Sequence, residues 1–272
     1  MISVVDYPVL VFVFCFILFG LSAFGGDFCR RRVAALKEEN RDDFSVIQGA
    51  SLTLLGLLIG FTFSMTITRY DQRKNYEEAE ANAIGTEYVR AGLLPAADAA
   101  RVQELLKDYL AQRVLFYSTR DSSHLQQIDS TTAQLQANLW STVQARAVAQ
   151  PTPVNALAAA GMNDVLNSQG YTQAAWWNRI PFEAWVLLTA IGMGCNVLIG
   201  YGAHRTSIIL FLILPLAVSV SFFLIADIDS PRAGLIRVRP QNLLSLSQSL
   251  HSPKFRRLRR TIRQFPSKTC RF

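Results

Sequence analysis

The chain has 272 residues, of which 50% are hydrophobic and 17% charged, and its formal net charge is +7. This basicity lies in one segment: residues 253–272 hold eight Lys or Arg and no acid, and without them the +7 falls to −1. The rest of the chain therefore lacks the basic face of a nucleic-acid-binding protein, and we expect no nucleic-acid partner. A solvated tail is the simplest explanation of residues 253–272, and attraction to anionic membrane lipid is the alternative.

The cysteines show no paired spacing and no CxxC motif, so the sequence predicts neither a disulfide framework nor a metal site. They are Cys15, Cys29, Cys195 and Cys270. The first and third lie inside apolar runs, where a thiol behaves as a small hydrophobic group.

Four apolar runs have about the 20 residues that cross a bilayer as a helix. They are Val9–Phe24, Val46–Thr68, Phe182–Ala203 and Ser207–Ala226. The first run has no basic residue before it and no convincing cleavage site, so we interpret it as a retained span and not as a signal peptide. Pro215 is expected to kink the fourth span, which neighbouring helices can tolerate.

The region between spans two and three has helical periodicity throughout and no alternating strand pattern. We predict helices over residues 69–92, 97–118 and 122–148, and a short one that ends at about Ser168. The fold class is thus an all-α membrane protein with four transmembrane helices and a helical soluble domain. Its parts are spans one and two (1–68), the soluble domain (69–181), a transmembrane hairpin (182–226), a juxtamembrane segment (227–252) and the basic tail (253–272).

The membrane orientation depends on two conflicting clusters of positive charge. Arg30, Arg31 and Arg32 follow span one and favour a cytoplasmic first linker, whereas the basic residues after span four favour cytoplasmic termini. We expect a multi-pass protein of the cell inner membrane, in contact with lipid, whose termini and soluble domain are cytoplasmic.

No pattern in the sequence indicates an enzyme, a metal site or a cofactor. The three histidines, His124, His204 and His251, are scattered along the chain. No unpaired ionisable residue lies in the middle of a span, which argues against proton-coupled or charge-driven transport.

Acidic residues also cluster just beyond span two. Glu77, Glu78 and Glu80 lie within about one turn of a helix that also carries Arg73 and Lys74. Mixed charges at this spacing are typical of a solvated helix face, and we predict such a face here.

Span two carries the most informative spacing in the chain. Gly49, Thr53, Gly56, Gly60 and Ser64 share one helical face, and Gly56 with Gly60 forms a GxxxG motif that allows close helix packing. Leu57 and Phe61, one turn apart, lie about 100° round the helix from Gly56 and Gly60, and Thr53 lies one turn before Leu57. In a ring of such helices, these three residues would form a hydrophobic constriction. The alternative is that the glycines pack against spans three and four while Leu57 and Phe61 face lipid.

Three stretches resemble a known family: "LLIGFTFSMTITRYDQRKNYEEAEANA", "EEAEANAIGTEYVRAGLLP" and "ADIDSPRAGLIRVRPQNLLSL". They are similar to bacterial bestrophin-like membrane proteins and, more distantly, to bestrophin ion channels. The similarity extends to about Leu250, and Gly60-Phe61 and Arg69-Tyr70 match the channels at their spacing.

The resemblance implies a homopentamer in which five second spans line a pore for small ions. The apolar neck of the family would fall on Thr53, Leu57 and Phe61, and Thr53 is a departure that would make the neck shorter or looser. The acidic calcium clasp of animal bestrophins has no counterpart here, so calcium gating is not expected.

Arg69 and Tyr70 would then lie at the pore mouth, where Arg69 either attracts anions or pairs with Asp71 or nearby acids. In "DIDSPR", Asp227, Asp229 and Arg232 are expected in a capped turn at the membrane exit. The predicted function is an oligomeric ion channel, with anions as the expected cargo. The alternative is a non-conducting scaffold or signalling protein whose helical domain binds a partner.

Overall fold

The computed structural model describes residues 7–33, 41–203 and 208–252, and every regular element in these ranges is helical. The helices are α1 (Pro8–Val33), α2 (Arg41–Arg90), α3 (Ala96–Ser118), α4 (Ser122–Ala149), α5 (Pro153–Trp177), α6 (Phe182–Gly202), α7 (Ile208–Asp229) and α8 (Gln241–His251). A 3₁₀ turn, Ala91–Leu93, follows α2. The basic tail with Cys270, His204, and residues 34–40 between α1 and α2 lie outside the described residues.

Four helical stretches in the described part of the chain are long and apolar enough to cross a membrane, as the sequence predicts. Two of them are longer than the apolar runs that identified them. The first helix continues past Phe24 to Val33, and α2 has 50 residues, about 75 Å at 1.5 Å per residue. No proline interrupts α2, so a single helix contains both the second span and the first turns of the polar region.

The chain divides into two compact units. A membrane unit comprises the chain through Gln72 together with Trp176–Arg237, and a helical unit comprises Arg73–Ala175 and the chain from Val238 onward.

In the membrane unit, α1 packs against α6 and α7. Glycines allow the closest approach: a Cβ on Gly26 would overlap the Val197 carbonyl, and one on Gly200 would overlap the Ala23 carbonyl. Helix α1 runs through Gly25 and Gly26 without a break, and Gly26 lies at the backbone contact. The core around this crossing is apolar and includes Phe19, Leu55, Trp185, Leu188 and Phe222.

The helical unit has its own apolar core, which includes buried residues of α2, α3, α4 and α5. Examples are Ile84, Leu106, Leu139, Met162 and Val165, each of which is fully buried. The expectation that the last helix of this region is short and ends at about Ser168 is wrong. Helix α5 continues through Gly170 to Trp177, because Ala174, Ala175 and the Trp pair extend the helical run up to the break before Pro181.

The predicted solvated face on α2 is also wrong for three of its five residues. Arg73, Glu77 and Glu80 are buried, and only Glu78 and Lys74 are exposed. Tertiary partners replace water: the Arg73 Nε donates to the Ala175 carbonyl at 3.2 Å. Buried charges persist where they are paired and hydrogen-bonded, which local spacing cannot reveal.

Glu80 is the centre of a buried polar network. Its carboxylate pairs with Arg113 of α3 and accepts a hydrogen bond from the Thr172 hydroxyl of α5 at 3.1 Å. The Tyr117 hydroxyl lies 3.4 Å from the same carboxylate. Burial would lower the pKa of Arg113, but the Glu80 charge raises it above its ordinary value, and burial raises the pKa of Tyr117. The network is thus a charged pair with a neutral phenol.

Glu77 holds α8 in place. Its Oε1 accepts from the Leu243 backbone N–H at 3.0 Å, and its Oε2 accepts from the Asn242 amide at 2.7 Å. Leu243 lies in the first turn of α8, where backbone N–H groups have no partner within the helix, and the second donor is the side-chain amide of Asn242. The α2 carboxylate therefore caps α8 from outside, and this is why Glu77 is buried.

Candidate functional site: the exposed face of the second span

The predicted constriction residues lie on the surface of the single chain. Leu57 is 52% exposed and Phe61 is 63% exposed, and Thr53, one turn earlier, is exposed as well. By contrast, Leu55 on another face of the same helix is 2% exposed and packs into the membrane core. The helix therefore buries one side within the chain and leaves the side with Leu57 and Phe61 for lipid or for another copy.

The glycines of span two also lie on the surface. A Cβ built on Gly49, Gly56 or Gly60 would meet nothing within 4 Å, and Ser64 is exposed. The alternative that these glycines pack α2 against spans three and four is thus wrong for this chain. Helix α2 is rotated about its axis so that a different face points to the core, the one with Leu52, Leu55, Leu58 and Ile59.

Hydroxyl groups along α2 satisfy their hydrogen bonds within the helix. Thr53 donates to the Gly49 carbonyl at 2.9 Å, and Thr68 donates to the Ser64 carbonyl at 3.0 Å. A hydroxyl that bonds to the i−4 carbonyl leaves no bare donor, so such residues can stand on a membrane helix. The polar residue at the first position of the predicted neck is therefore compatible with the span.

Arg69, predicted at the pore mouth, does not pair with Asp71. Its Nη1 lies 3.4 Å from Asp229 Oδ1, and Asp229 is buried at the end of α7. Asp229 also accepts from the Ile180 backbone N–H at 3.2 Å. Its negative charge thus compensates the arginine locally. Tyr70, the neighbouring predicted residue, is half-buried.

The membrane-exit turn is built on Asp227. Its two carboxylate oxygens accept from the backbone N–H groups of Leu235 and Ile236, at 2.6 and 2.8 Å. A Cβ on Gly234 would overlap the Asp227 carbonyl, so the turn requires glycine at that position. Carboxylates that satisfy backbone donors organise the chain reversal after α7, which is a structural task.

Arg232, the third residue predicted in this turn, stacks on an aromatic ring. Its guanidinium carbon lies 4.4 Å from the centre of the Trp176 ring, a cation–π distance. Sequence spacing did not indicate this pair, nor Asp229 with Ile180, because each joins residues about 50 positions apart. The one local signal was Gly234, which follows "DIDSPRA".

Comparison with known proteins gives a consistent picture. A family model described as the Bestrophin-like domain matches residues 17–243. Among solved structures, a bacterial bestrophin homologue from Klebsiella pneumoniae, in a substituted form, is similar at a TM-score of 0.63 and 14% identity. That match covers 88% of this chain and 97% of the other.

The same homologue solved by zinc phasing is similar at a TM-score of 0.61 and 14% identity, covering 88% of this chain and 96% of the other. No curated protein matched the chain. At these identities the structural likeness establishes the fold.

The helices and the comparisons together define the class: an all-α membrane protein with four candidate spans and the bestrophin fold. The chain belongs to the bestrophin-like family, whose domain accounts for most of its length.

Proposed function

We propose that this protein assembles as a symmetric oligomer, with a pentamer favoured, and conducts small ions through a pore lined by α2. The observation that carries the proposal is the exposed, unpartnered face of α2 that contains Thr53, Leu57 and Phe61. Membership of the bestrophin-like family supports it, because the solved relatives are bestrophin homologues. In this assembly the three residues form the hydrophobic neck.

Shape and wetting both support a constriction at this face of α2. Leu57 and Phe61 project from the same side of α2, one turn apart, so a ring of α2 helices stacks two apolar layers around the axis. Such a constriction resists hydration and acts as a gate. Thr53 adds a layer whose hydroxyl is already bonded to the Gly49 carbonyl, so it presents its methyl group as readily as its oxygen.

The small residues beside the neck explain how the helices could approach one another. Gly49, Gly56 and Gly60 present bare backbone on the surface, with open space around each. Helices in membranes associate closely where small residues face a partner. In the proposed oligomer, each α2 offers this strip to a neighbouring subunit.

The expected preference for anions rested on Arg69 at the pore mouth. Because Arg69 lies against Asp229, its charge is largely compensated and attracts anions only weakly. We therefore propose a channel for small ions, and the assay below identifies their charge.

The test is ion flux from liposomes that contain the purified full-length protein, with separate chloride, sodium and potassium gradients. Phe61→Ala removes most of one neck layer, and flux should increase or lose its gating. Phe14→Ala is the matched control, because Phe14 is an equally exposed phenylalanine on α1, outside the proposed neck. The control should conduct like the unsubstituted protein.

Three results would contradict the proposal in whole or in part. Absence of flux from all three proteins, in samples shown to be folded oligomers, would favour the scaffold whose helical domain binds a partner. A dimer in a native mass measurement would favour the same alternative, with packing through Gly56 and Gly60. Equal flux in all three proteins would place the constriction elsewhere in a conducting assembly.

A further inference from the structure

One carboxyl group in the helical unit is buried without a hydrogen-bond partner. Glu87 of α2 is 0% exposed, and within the described part of the chain neither of its carboxylate oxygens has a donor. Its neighbours Glu77 and Glu80 on the same helix are buried too, but both are hydrogen-bonded. Glu87 therefore lacks the hydrogen bonds that normally offset the free-energy cost of burying a carboxylate.

The group facing Glu87 is the backbone of α5. A Cβ on Gly161 would overlap the Glu87 Oε2 and would lie 3.1 Å from its carboxyl carbon. With glycine at this position α5 lies directly against the carboxyl group, whereas a larger residue would require the Glu87 side chain to shift. The contact between α2 and α5 is thus built directly over Glu87.

Two charged groups act on this carboxyl, one from each helix. Arg90 follows one turn later on α2, and Asp164 lies one turn after Gly161 on α5. Arg90 Nη1 is 4.0 Å from Asp164 Oδ2, so the arginine is shared with an acid at the surface. Burial is the main reason that the pKa of Glu87 is raised to about 8. The positive charge of Arg90 lowers this pKa, and the negative charge of Asp164 raises it.

We propose that Glu87 is a proton-binding site that holds α5 against α2, and that the helical unit loosens at this contact as the surrounding pH rises. This pH dependence does not require that the protein conducts ions. It requires only the buried carboxyl, the Gly161 contact and the Arg90–Asp164 pair at its edge.

The direction of the pH effect follows from proton binding. In the packed state Glu87 keeps its proton up to about pH 8, whereas a hydrated glutamate in a locally opened state loses it near 4.5. Between these pH values the packed state binds one more proton than the opened state. The equilibrium constant for opening therefore rises by up to tenfold per pH unit. The packed state is most stable below about pH 4.5, and the stability that the bound proton contributes is lost completely above about pH 8.

Hydrogen exchange of α5 in the full-length protein tests this directly. After correction for the intrinsic exchange rate, the opening constant of amides near Gly161 should rise up to tenfold per unit from pH 6 to about 8, and then level off. Glu87→Gln keeps the size and removes the proton, so its opening constant should not change with pH. Glu78→Gln, at an exposed site on the same helix, should behave like the unsubstituted protein.

Two further variants keep Glu87 and alter only its surroundings. Asp164→Asn removes the charge that raises the Glu87 pKa, so the levelling-off should move to lower pH. Arg90→Gln removes the charge that lowers it, so the levelling-off should move to higher pH. These opposite shifts test the role of Glu87 even if Glu87→Gln fails to fold. A pH-independent α5 in the unsubstituted protein, or an unchanged slope in folded Glu87→Gln, would overturn the proposal.

Discussion

Asp229 Oδ1 lies 3.4 Å from Arg69 Nη1, and this pair joins the end of α7 to the point where α2 leaves its apolar run. The same carboxylate accepts the Ile180 N–H, which precedes α6. Three segments of the membrane unit therefore meet at one buried acid. A carboxylate with a cation and a backbone donor stabilises such a junction more than either contact alone.

Asp229→Ala is expected to destabilise the protein by about 3 kcal/mol, because it leaves a largely buried arginine without its acid and an N–H without an acceptor. Asp229→Asn keeps an acceptor for Ile180 and should cost less. The measurement is the midpoint of thermal unfolding in detergent. Asp71→Ala, at an exposed acid on α2, is the control and should change stability by less than about 0.5 kcal/mol. Equal midpoints for Asp229→Ala and Asp71→Ala would show that the pair is dispensable.

Gly200→Ala should weaken the crossing of α1 and α6. The added methyl would overlap the Ala23 carbonyl and would lie 3.0 Å from the Asp27 nitrogen, both backbone atoms that cannot rotate away. Overpacking of this kind costs about 1–3 kcal/mol. Gly194→Ala is a matched control on the same helix, because its Cβ would meet nothing within 4 Å. The same thermal assay should rank Gly200→Ala well below Gly194→Ala, and the reverse order would contradict the close backbone contact.

The four spans and the all-helical soluble region were predictable because hydrophobic runs and 3.6-residue periodicity are local properties of the sequence. The shared face of Leu57 and Phe61 on α2 could be predicted from the sequence in the same way, since the two residues are one turn apart. The ionic pairs were not predictable. The partners of Glu80 and Glu77 lie 33 and 166 residues away, and a spacing rule for one helix assigns such acids to solvent.

Glu77→Ala should release the first turn of α8 while leaving the apolar core intact. The substitution removes acceptors for the Leu243 N–H and the Asn242 amide, and loss of a helix cap costs about 0.5–2 kcal/mol. Hydrogen exchange of residues 241–251 should become faster, with little change in α3 or α4. Glu78→Ala, one residue along on the exposed face, should leave α8 unaffected. If α8 keeps its protection in Glu77→Ala, its apolar contacts alone hold it.

The Glu80–Arg113 pair can be tested by a double-mutant cycle. Both side chains are 0% exposed, so Arg113→Met alone leaves a buried carboxylate without its cation and should cost about 3–5 kcal/mol. Replacing both residues, Arg113→Met with Glu80→Leu, removes the two charges together and should recover much of that loss, since apolar replacements for buried pairs are often tolerated.

The recovery in this cycle is expected to be incomplete because Thr172 and Tyr117 would lose their acceptor on Glu80. Thermal unfolding of the two single variants and the double variant gives the coupling free energy. Arg101→Met, at an exposed position of the same helix, controls for the loss of one positive charge. If the two single losses simply add in the double variant, the residues are not coupled, and the buried network stabilises the helical unit through its other contacts.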